Sequence, residues 1–129
     1  MGKVWGMITG DDLNDMGYEY YDNGYKAPLD YSKWVEKKII TEGQERLIEN
    51  ILGLVGESGE VAEKIKKMIR DNSRFSPEDI VKELGDVVFY ATALANFYGY
   101  NLTSMLTMNV EKLDSREQRG VLKGSGDNR

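Results

Sequence analysis

The sequence predicts an all-α, four-helix-bundle-like domain, and three features support this. Long segments carry apolar residues at helical spacing, no segment shows the alternation typical of a strand, and helix-start and helix-stop residues separate the segments. The chain has 129 residues, of which 40% are hydrophobic and 30% charged, as suits one domain with a modest core. We expect an irregular Tyr- and Gly-rich arm over 1–28, the helical domain over 29–116, and a flexible tail over 117–129.

Two helices are predicted in the first half of the domain. Asp30 can cap a helix from Tyr31 to about Ile40. A second helix is predicted from about Gln44 to Ile69, because apolar residues recur at helical spacing for about seven turns. Three glycines inside it would each cost roughly 0.5 to 1 kcal/mol relative to alanine, which predicts a kink or the close approach of another helix or a ligand. These glycines are Gly53, Gly56 and Gly59.

Two further helices follow, with clear start and stop signals. The segment 76–79 has the sequence Ser-Pro-Glu-Asp, which combines a capping serine, a proline at the first helical position and an acid three residues after the serine. This third helix is expected to stop at Gly99. Asn101 or Thr103 can cap a fourth helix, which is expected to end near Asp114.

Four carboxylates form two matched pairs on the second and third predicted helices. Glu57 and Glu60 are three residues apart, and so are Glu83 and Asp86. On a helical wheel each pair flanks the apolar stripe of its helix, on the same side in both helices. Antiparallel packing of the two stripes would bring the carboxylates together at the edge of the core, where a bound group has to neutralise their repulsion. The simplest such group is a divalent cation.

The composition limits the chemistry of such a site. The chain has no cysteine and no histidine, which excludes thiolate and imidazole metal sites and a Ser-His-Asp triad. The remaining metal chemistry is oxygen-ligated and favours Mg²⁺, Mn²⁺ or Ca²⁺. A net charge of −5 argues against binding extended nucleic acid, though not against a single nucleotide. No apolar run approaches the ~20 residues that span a bilayer, so we expect no membrane partner and a cytoplasmic location.

Three segments together carry a recognisable pattern. They are Gly-Leu-Val-Gly-Glu-Ser-Gly-Glu-Val-Ala-Glu-Lys-Ile-Lys-Lys at 53–67, Lys-Glu-Leu-Gly-Asp-Val-Val-Phe-Tyr at 82–90 and Asn-Val-Glu-Lys-Leu at 109–113. The order Glu-x-x-Glu, Glu-x-x-Asp, Asn-x-x-Lys-Leu resembles the MazG-like family of all-α nucleotide pyrophosphohydrolases over roughly 29–116. Members of that family often carry a further Glu where this chain has Gly56.

The resemblance implies a function and assigns roles to residues. It implies hydrolysis of a nucleoside or deoxynucleoside triphosphate to its monophosphate and pyrophosphate, with Mg²⁺ as cofactor and Mn²⁺ as an alternative ion, in a homodimer or homotetramer. The implied metal-binding and catalytic residues are Glu57, Glu60, Glu83 and Asp86. Asn109 and Lys112 would contact the phosphates or the ribose of the nucleotide.

Three aromatic residues have two interpretations each. Tyr31 and Trp34 could line a pocket for the nucleobase, but aromatic residues on a short helix usually anchor a core or an interface. Tyr90 lies one turn after Asp86, and packing is favoured over catalysis for it.

Other functions compete with hydrolysis. The acids could simply form solvated helix flanks that nearby lysines balance, namely Lys64, Lys66, Lys67 and Lys82. Alternatively, the chain could be a non-catalytic helical module that binds a nucleotide or a protein, an interpretation that the glycine at position 56 keeps open. A di-iron carboxylate bundle is disfavoured, because such sites normally use Glu-x-x-His on two helices.

Overall fold

The computed structural model describes residues 28–126, which form four helices. Within these residues there is no strand, and no helix has the length and apolar character that a membrane crossing requires. The all-α prediction is confirmed. The helices are α1 (Pro28–Lys38), α2 (Gly43–Arg70), α3 (Pro77–Phe97) and α4 (Leu102–Gln118).

Several predicted helix ends are confirmed, because the signals that define them are local. The hydroxyl of Ser76 accepts a hydrogen bond from the Asp79 backbone N–H at 3.2 Å, and the Asp79 carboxylate accepts one from the Ser76 backbone N–H at 3.0 Å. Gly99, just beyond α3, has a φ of +82°, a conformation that glycine adopts without strain. Asn101 Oδ1 accepts a hydrogen bond from the Ser104 backbone N–H at 2.8 Å and caps α4.

Two predicted helix ends are wrong. Helix α1 begins at Pro28, so Asp30 lies inside the helix and does not cap it; a proline at the first helical position is favoured because its φ is already helical. Helix α4 runs a turn beyond Asp114, to Gln118. Arg116, in this last turn, is only 5% exposed, although its neighbours in the turn are exposed.

The predicted domain boundaries are only partly covered by the described residues. The arm predicted over 1–28 lies outside them except for Pro28, which begins α1. The tail predicted over 117–129 overlaps the end of α4, and its last three residues lie outside. These boundaries stay predictions.

Helices α2 and α3 form an antiparallel hairpin with the largest helix–helix interface of the described residues. Near the start of α2, Arg46 Nη2 lies 3.5 Å from the carbonyl oxygen of Ala93, near the end of α3. Further along α2, Lys64 contacts Glu83, near the start of α3. Because these contacts run in opposite sequence order on the two helices, α2 and α3 pack antiparallel, as the sequence predicts.

One of the three glycines in α2 is explained by this packing. A Cβ atom on Gly53 would lie 2.3 Å from the ring of Tyr90, far inside van der Waals contact, so only glycine lets the ring approach the α2 backbone. Tyr90 therefore has a packing role, as the sequence favours. At Gly56 and Gly59 a Cβ would meet nothing within 4 Å, and nothing among the described residues explains them.

The buried core lies at the other end of the hairpin, where α1 packs against α3 and α4. Val35, Ala93 and Leu102 are buried there. The buried Ser32 hydroxyl accepts a hydrogen bond from the Leu102 backbone N–H at 2.9 Å, which joins α1 to the start of α4.

A polar contact that we call the clasp joins α1, α2 and α3 beside this core. Arg46 donates to both carboxylate oxygens of Glu36 at 2.6 Å. Asn96 donates to Glu36 Oε2 at 3.1 Å and to the Ser32 carbonyl oxygen at 2.9 Å. Bidentate arginine–carboxylate pairs fix geometry as well as charge, so the clasp sets the position of α1 on the hairpin.

The predicted apolar stripes are only partly covered by the described residues. Four helices of a small domain bury limited surface on their own. Stripe residues that are at least 39% exposed are Ile51 and Ile69 on α2, Leu84, Val88 and Tyr98 around α3, and Leu106, Val110 and Leu113 on α4.

Candidate metal site

Three of the four predicted acids lie together between α2 and α3. Glu57, Glu83 and Asp86 each offer a carboxylate oxygen, and these oxygens lie within 4.8 Å of one another. The first two side chains are partly covered and the third is exposed. We call these residues the three-acid cluster. The convergence inferred from two separate helix flanks is therefore observed for three residues.

The electrostatics of the cluster reflect this crowding of like charge. The pKa of Glu57 is raised above its ordinary value, first by partial burial and then by the nearby charges of Asp86, Glu83 and Glu60. Glu60 therefore lies within electrostatic range of the cluster, although it is exposed and does not belong to the group of closely spaced oxygens. Like charges that disfavour one another's ionisation create a demand for a bound cation.

A lysine contacts the cluster in a way that sequence reasoning missed. Lys64 Nζ lies 3.2 Å from Glu83 Oε1, and both side chains are largely covered, with 23% and 21% exposed. The same ammonium sits 4.9 Å from the centre of the Phe75 ring. From the sequence, Lys64 enters only in the alternative interpretation, as one of the lysines that balance solvated acids. A usable signal was present, because on a helical wheel Lys64 falls between Glu57 and Glu60, within roughly 20 to 40° of each.

The residues present fit a hard divalent cation. The donor set is made of carboxylate oxygens only, which Mg²⁺ and Mn²⁺ prefer over softer ligands. Among the described residues one ion pair reaches the cluster, between Lys64 and Glu83, so the charge of the three carboxylates is only partly offset. Small side-chain rotations would let the three oxygens share one ion.

The aromatic candidates form a row of ring contacts that leads to the cluster. Tyr31 and Trp34 on α1 lie 5.5 Å apart between ring centres, Trp34 lies 6.0 Å from Phe89, and Phe89 lies 5.2 Å from Tyr90. Tyr90 in turn packs against Gly53, one turn before Glu57. Trp34 remains 37% exposed, and the Lys38 ammonium lies 5.5 Å from the centre of its ring. The row links α1 to the wall of the site.

The structure does not bring Asn109 and Lys112 to the cluster. Both side chains are exposed on α4, and within residues 28–126 no hydrogen bond or ion pair joins them to the acids. Helix α4 packs against α1 and α3, where Leu102 is its buried anchor. The roles that the resemblance implies for these two residues stay predictions.

Comparison with known proteins gives the chain its family. The sequence model of one protein family, the MazG nucleotide pyrophosphohydrolase domain, matches residues 45–121. These residues include the cluster, Glu60, Asn109 and Lys112. The Gene 37 protein of Mycobacterium phage L5 is 46% identical over 82 residues, which cover 60% of this chain and 72% of that protein. No solved structure gives a significant match. Together with the helical fold and its cluster of acids, the match over residues 45–121 shows that the chain belongs to the MazG nucleotide pyrophosphohydrolase family.

Proposed function

We propose that this protein hydrolyses a nucleoside or deoxynucleoside triphosphate to the monophosphate and pyrophosphate, with Mg²⁺, or Mn²⁺ in its place. The observation that carries the proposal is the three-acid cluster at the α2–α3 contact of a chain that belongs to this family. Glu60 is proposed as a fourth acid of the site. It lies one turn from Glu57 on the same flank of α2, and its charge contributes to the raised pKa of Glu57.

The proposed reaction needs few groups, and the cluster can supply them. The oxygen of water bonds to phosphorus, the bond that bridges the α- and β-phosphates breaks, and the water's proton passes to a carboxylate of the site. A bound Mg²⁺ would offset the phosphate charge and lower the pKa of water. Glu57 on α2 and the two acids on α3 would hold the ion. Because they project from two packed helices, the three acids lie close together before the nucleotide binds.

The nucleoside end of the substrate is proposed to lie toward α1. Trp34 keeps part of its ring exposed and connects through the ring contacts of Phe89 and Tyr90 to the wall of the cluster. An exposed indole offers a surface on which a nucleobase can stack. Trp34 is therefore proposed as a base-binding residue, with Tyr31 supporting its ring. Asn109 and Lys112 are proposed to contact the phosphates or the ribose.

Assembly into a homodimer or homotetramer is part of the proposal. Large apolar side chains of α4 are at least 39% exposed, namely Leu106, Met108, Val110 and Leu113. Apolar surface of this kind is normally covered in a subunit interface. A contact through α4 would also carry Asn109 and Lys112 to a second subunit. Light scattering on the purified protein should give a mass of two or four chains, and a monomer at micromolar concentration would contradict this part.

The activity is tested by measuring pyrophosphate release from a panel of nucleoside and deoxynucleoside triphosphates with Mg²⁺. Asp86→Asn removes one carboxylate of the cluster and should lower turnover about 100-fold or more, because metal binding and charge stabilisation are lost together. Its melting temperature should stay unchanged or rise, since one repulsive charge is gone. Glu60→Gln, measured in parallel, should also lose turnover if Glu60 is the fourth acid of the site.

Glu63→Gln is the matched control for these variants. Glu63 also lies on α2 but pairs with Lys66 at 2.8 Å, on the side of the helix away from the cluster, so turnover should stay within about twofold of the wild type. A wild-type protein that releases no pyrophosphate from any nucleotide would favour the non-catalytic binding module instead.

A further inference from the structure

Lys64 holds a place at the cluster that no part of the family pattern assigns to it. Its ammonium lies 3.2 Å from a carboxylate oxygen of Glu83, so it competes with any cation for that oxygen. The other short lysine pairs of α2 and α3 differ. Lys66 pairs with Glu63 and Lys82 with Glu78, in contacts within one helix whose lysine side chains are 54% and 70% exposed. Lys64 alone among these three spans the two helices.

We propose that Lys64 is a positioning residue that makes the site prefer a metal–triphosphate complex over the free divalent cation. This inference rests on the proposed function, because it concerns the same cluster. The ammonium holds the Glu83 carboxylate in place through one oxygen. It also adds a positive charge that opposes a lone cation and attracts the phosphates that accompany a nucleotide-bound one.

The ammonium of Lys64 has opposite effects on the binding of a free cation and on the binding of a metal–triphosphate complex. A divalent cation at the cluster is repelled by a fixed ammonium a few ångströms away, whereas a metal–triphosphate complex, which is net negative, is attracted by it. In a partly solvated site such an interaction changes a binding constant by roughly three- to tenfold. The Lys64 side chain therefore weakens the binding of the free cation and strengthens the binding of the metal–triphosphate complex.

The surroundings of Lys64 keep its ammonium where this effect is largest. The ring of Phe75, in the connection between α2 and α3, lies 4.9 Å from Lys64 Nζ, a distance at which the ring face attracts a cation. The side chain is only 23% exposed, so solvent screens its charge less than it screens an extended surface lysine. The cluster thus lies between two packing contacts of the hairpin, Lys64 with Phe75 and Gly53 with Tyr90.

The test measures binding rather than turnover. Mn²⁺ is titrated into the wild type, Lys64→Met and Lys66→Met, with free ion detected by electron paramagnetic resonance, first alone and then with inorganic tripolyphosphate. Lys64→Met should bind free Mn²⁺ roughly three- to tenfold more tightly and Mn²⁺–tripolyphosphate roughly three- to tenfold more weakly. Lys66→Met loses the same charge from the same helix and should keep both constants within about twofold. Lys64→Arg should resemble the wild type.

The outcomes separate this inference from the proposed function. If Lys64→Met changes neither constant, or weakens both together, Lys64 is only a structural residue and the inference is overturned. If the wild type binds no Mn²⁺ and hydrolyses no nucleotide, the proposed function itself fails. Circular dichroism checks that the variants are folded, and Lys64→Gln gives the same comparison should the methionine variant not fold.

Discussion

The clasp and the three-acid cluster are both carboxylate sites at helix–helix contacts, but they balance charge in opposite ways. In the clasp, both oxygens of Glu36 receive hydrogen bonds from Arg46, and one receives another from Asn96. In the cluster, the described residues supply one ion pair, between Lys64 and Glu83, for three carboxylates. The chain therefore satisfies the carboxylate that holds α1 in place and leaves the others in need of a ligand.

The pKa values of the two sites differ in the same sense. The pKa of Glu36 is held below its usual value, first by its hydrogen bond with Arg46. The pKa of Glu57 is raised, first by partial burial and then by its acidic neighbours. A carboxylate that stabilises the fold is easier to ionise in the native state, and one that awaits a cation is harder to ionise.

The largest effect on stability is expected from a substitution that displaces the cluster but leaves every charged residue in place. Gly53→Ala places a methyl group against the ring of Tyr90 and has to push α2 and α3 apart. The free energy of unfolding should fall by about 2 to 3 kcal/mol. Binding of Mn²⁺ should weaken as well, because Glu57 lies one turn from the displaced contact while the acids of α3 stay with Tyr90. Urea denaturation and a Mn²⁺ titration measure the two losses.

Gly56→Ala is the matched control, three residues further along the same helix. The added methyl group meets nothing within 4 Å, so the higher helix propensity of alanine should raise the free energy of unfolding by roughly 0.5 to 1 kcal/mol. If both variants lose stability equally, the close approach at Gly53 does not set the spacing of α2 and α3.

A smaller effect is expected on the pH dependence of the free energy of unfolding. Glu57 has a raised native pKa, so its ionised form costs stability above that pKa, and the cost is relieved as the pH falls toward the unfolded value of about 4.5. Glu36 has a lowered native pKa, so its contribution is complete above about 4.5 and is lost as the pH falls further. Without added metal, the free energy of unfolding should rise as the pH falls through the raised pKa of Glu57 toward about 4.5, and should decrease at lower pH.

Two variants assign these slopes to their residues. Glu57→Gln should flatten the rise between neutral and mildly acidic pH, since the group that takes up a proton is gone. Arg46→Met should lower stability at pH 7 and reduce the fall below about pH 4.5, because the pKa of Glu36 is no longer held down. Urea midpoints across the pH range provide the measurement. A rise that survives in Glu57→Gln would show that another group causes it.

The sequence predicts those parts of the fold that depend on near neighbours. The capping box at Ser76 and the glycine stop at Gly99 are defined by residues within one turn, and both are confirmed. Asp30 was a false capping signal because Pro28, two residues earlier, is the stronger helix start. Helix α4 continues past Asp114 to Gln118 and buries Arg116 in its last turn, a burial that the capping signals at its start do not report.

The candidate site was predictable to the extent that it follows helical geometry. The convergence of Glu57 with the acids of α3 follows from two matching helix flanks and antiparallel packing. Periodicity places Lys64 on the flank of the acids, but its contact with Phe75 depends on where the connection between the helices turns back. The positions of Asn109 and Lys112 depend on how α4 packs, so their sequence motif alone does not bring them to the acids.

The antiparallel hairpin has a consequence for how the site can change over time. All three clustered acids and Lys64 belong to one continuous stretch, 57–86, whose register is set by the Gly53–Tyr90 contact outside it. Helices added before or after this stretch can diverge, and reshape the surroundings of a ligand, without moving the carboxylates. The α2–α3 hairpin therefore carries all the residues of the cluster, and the other helices supply its surroundings.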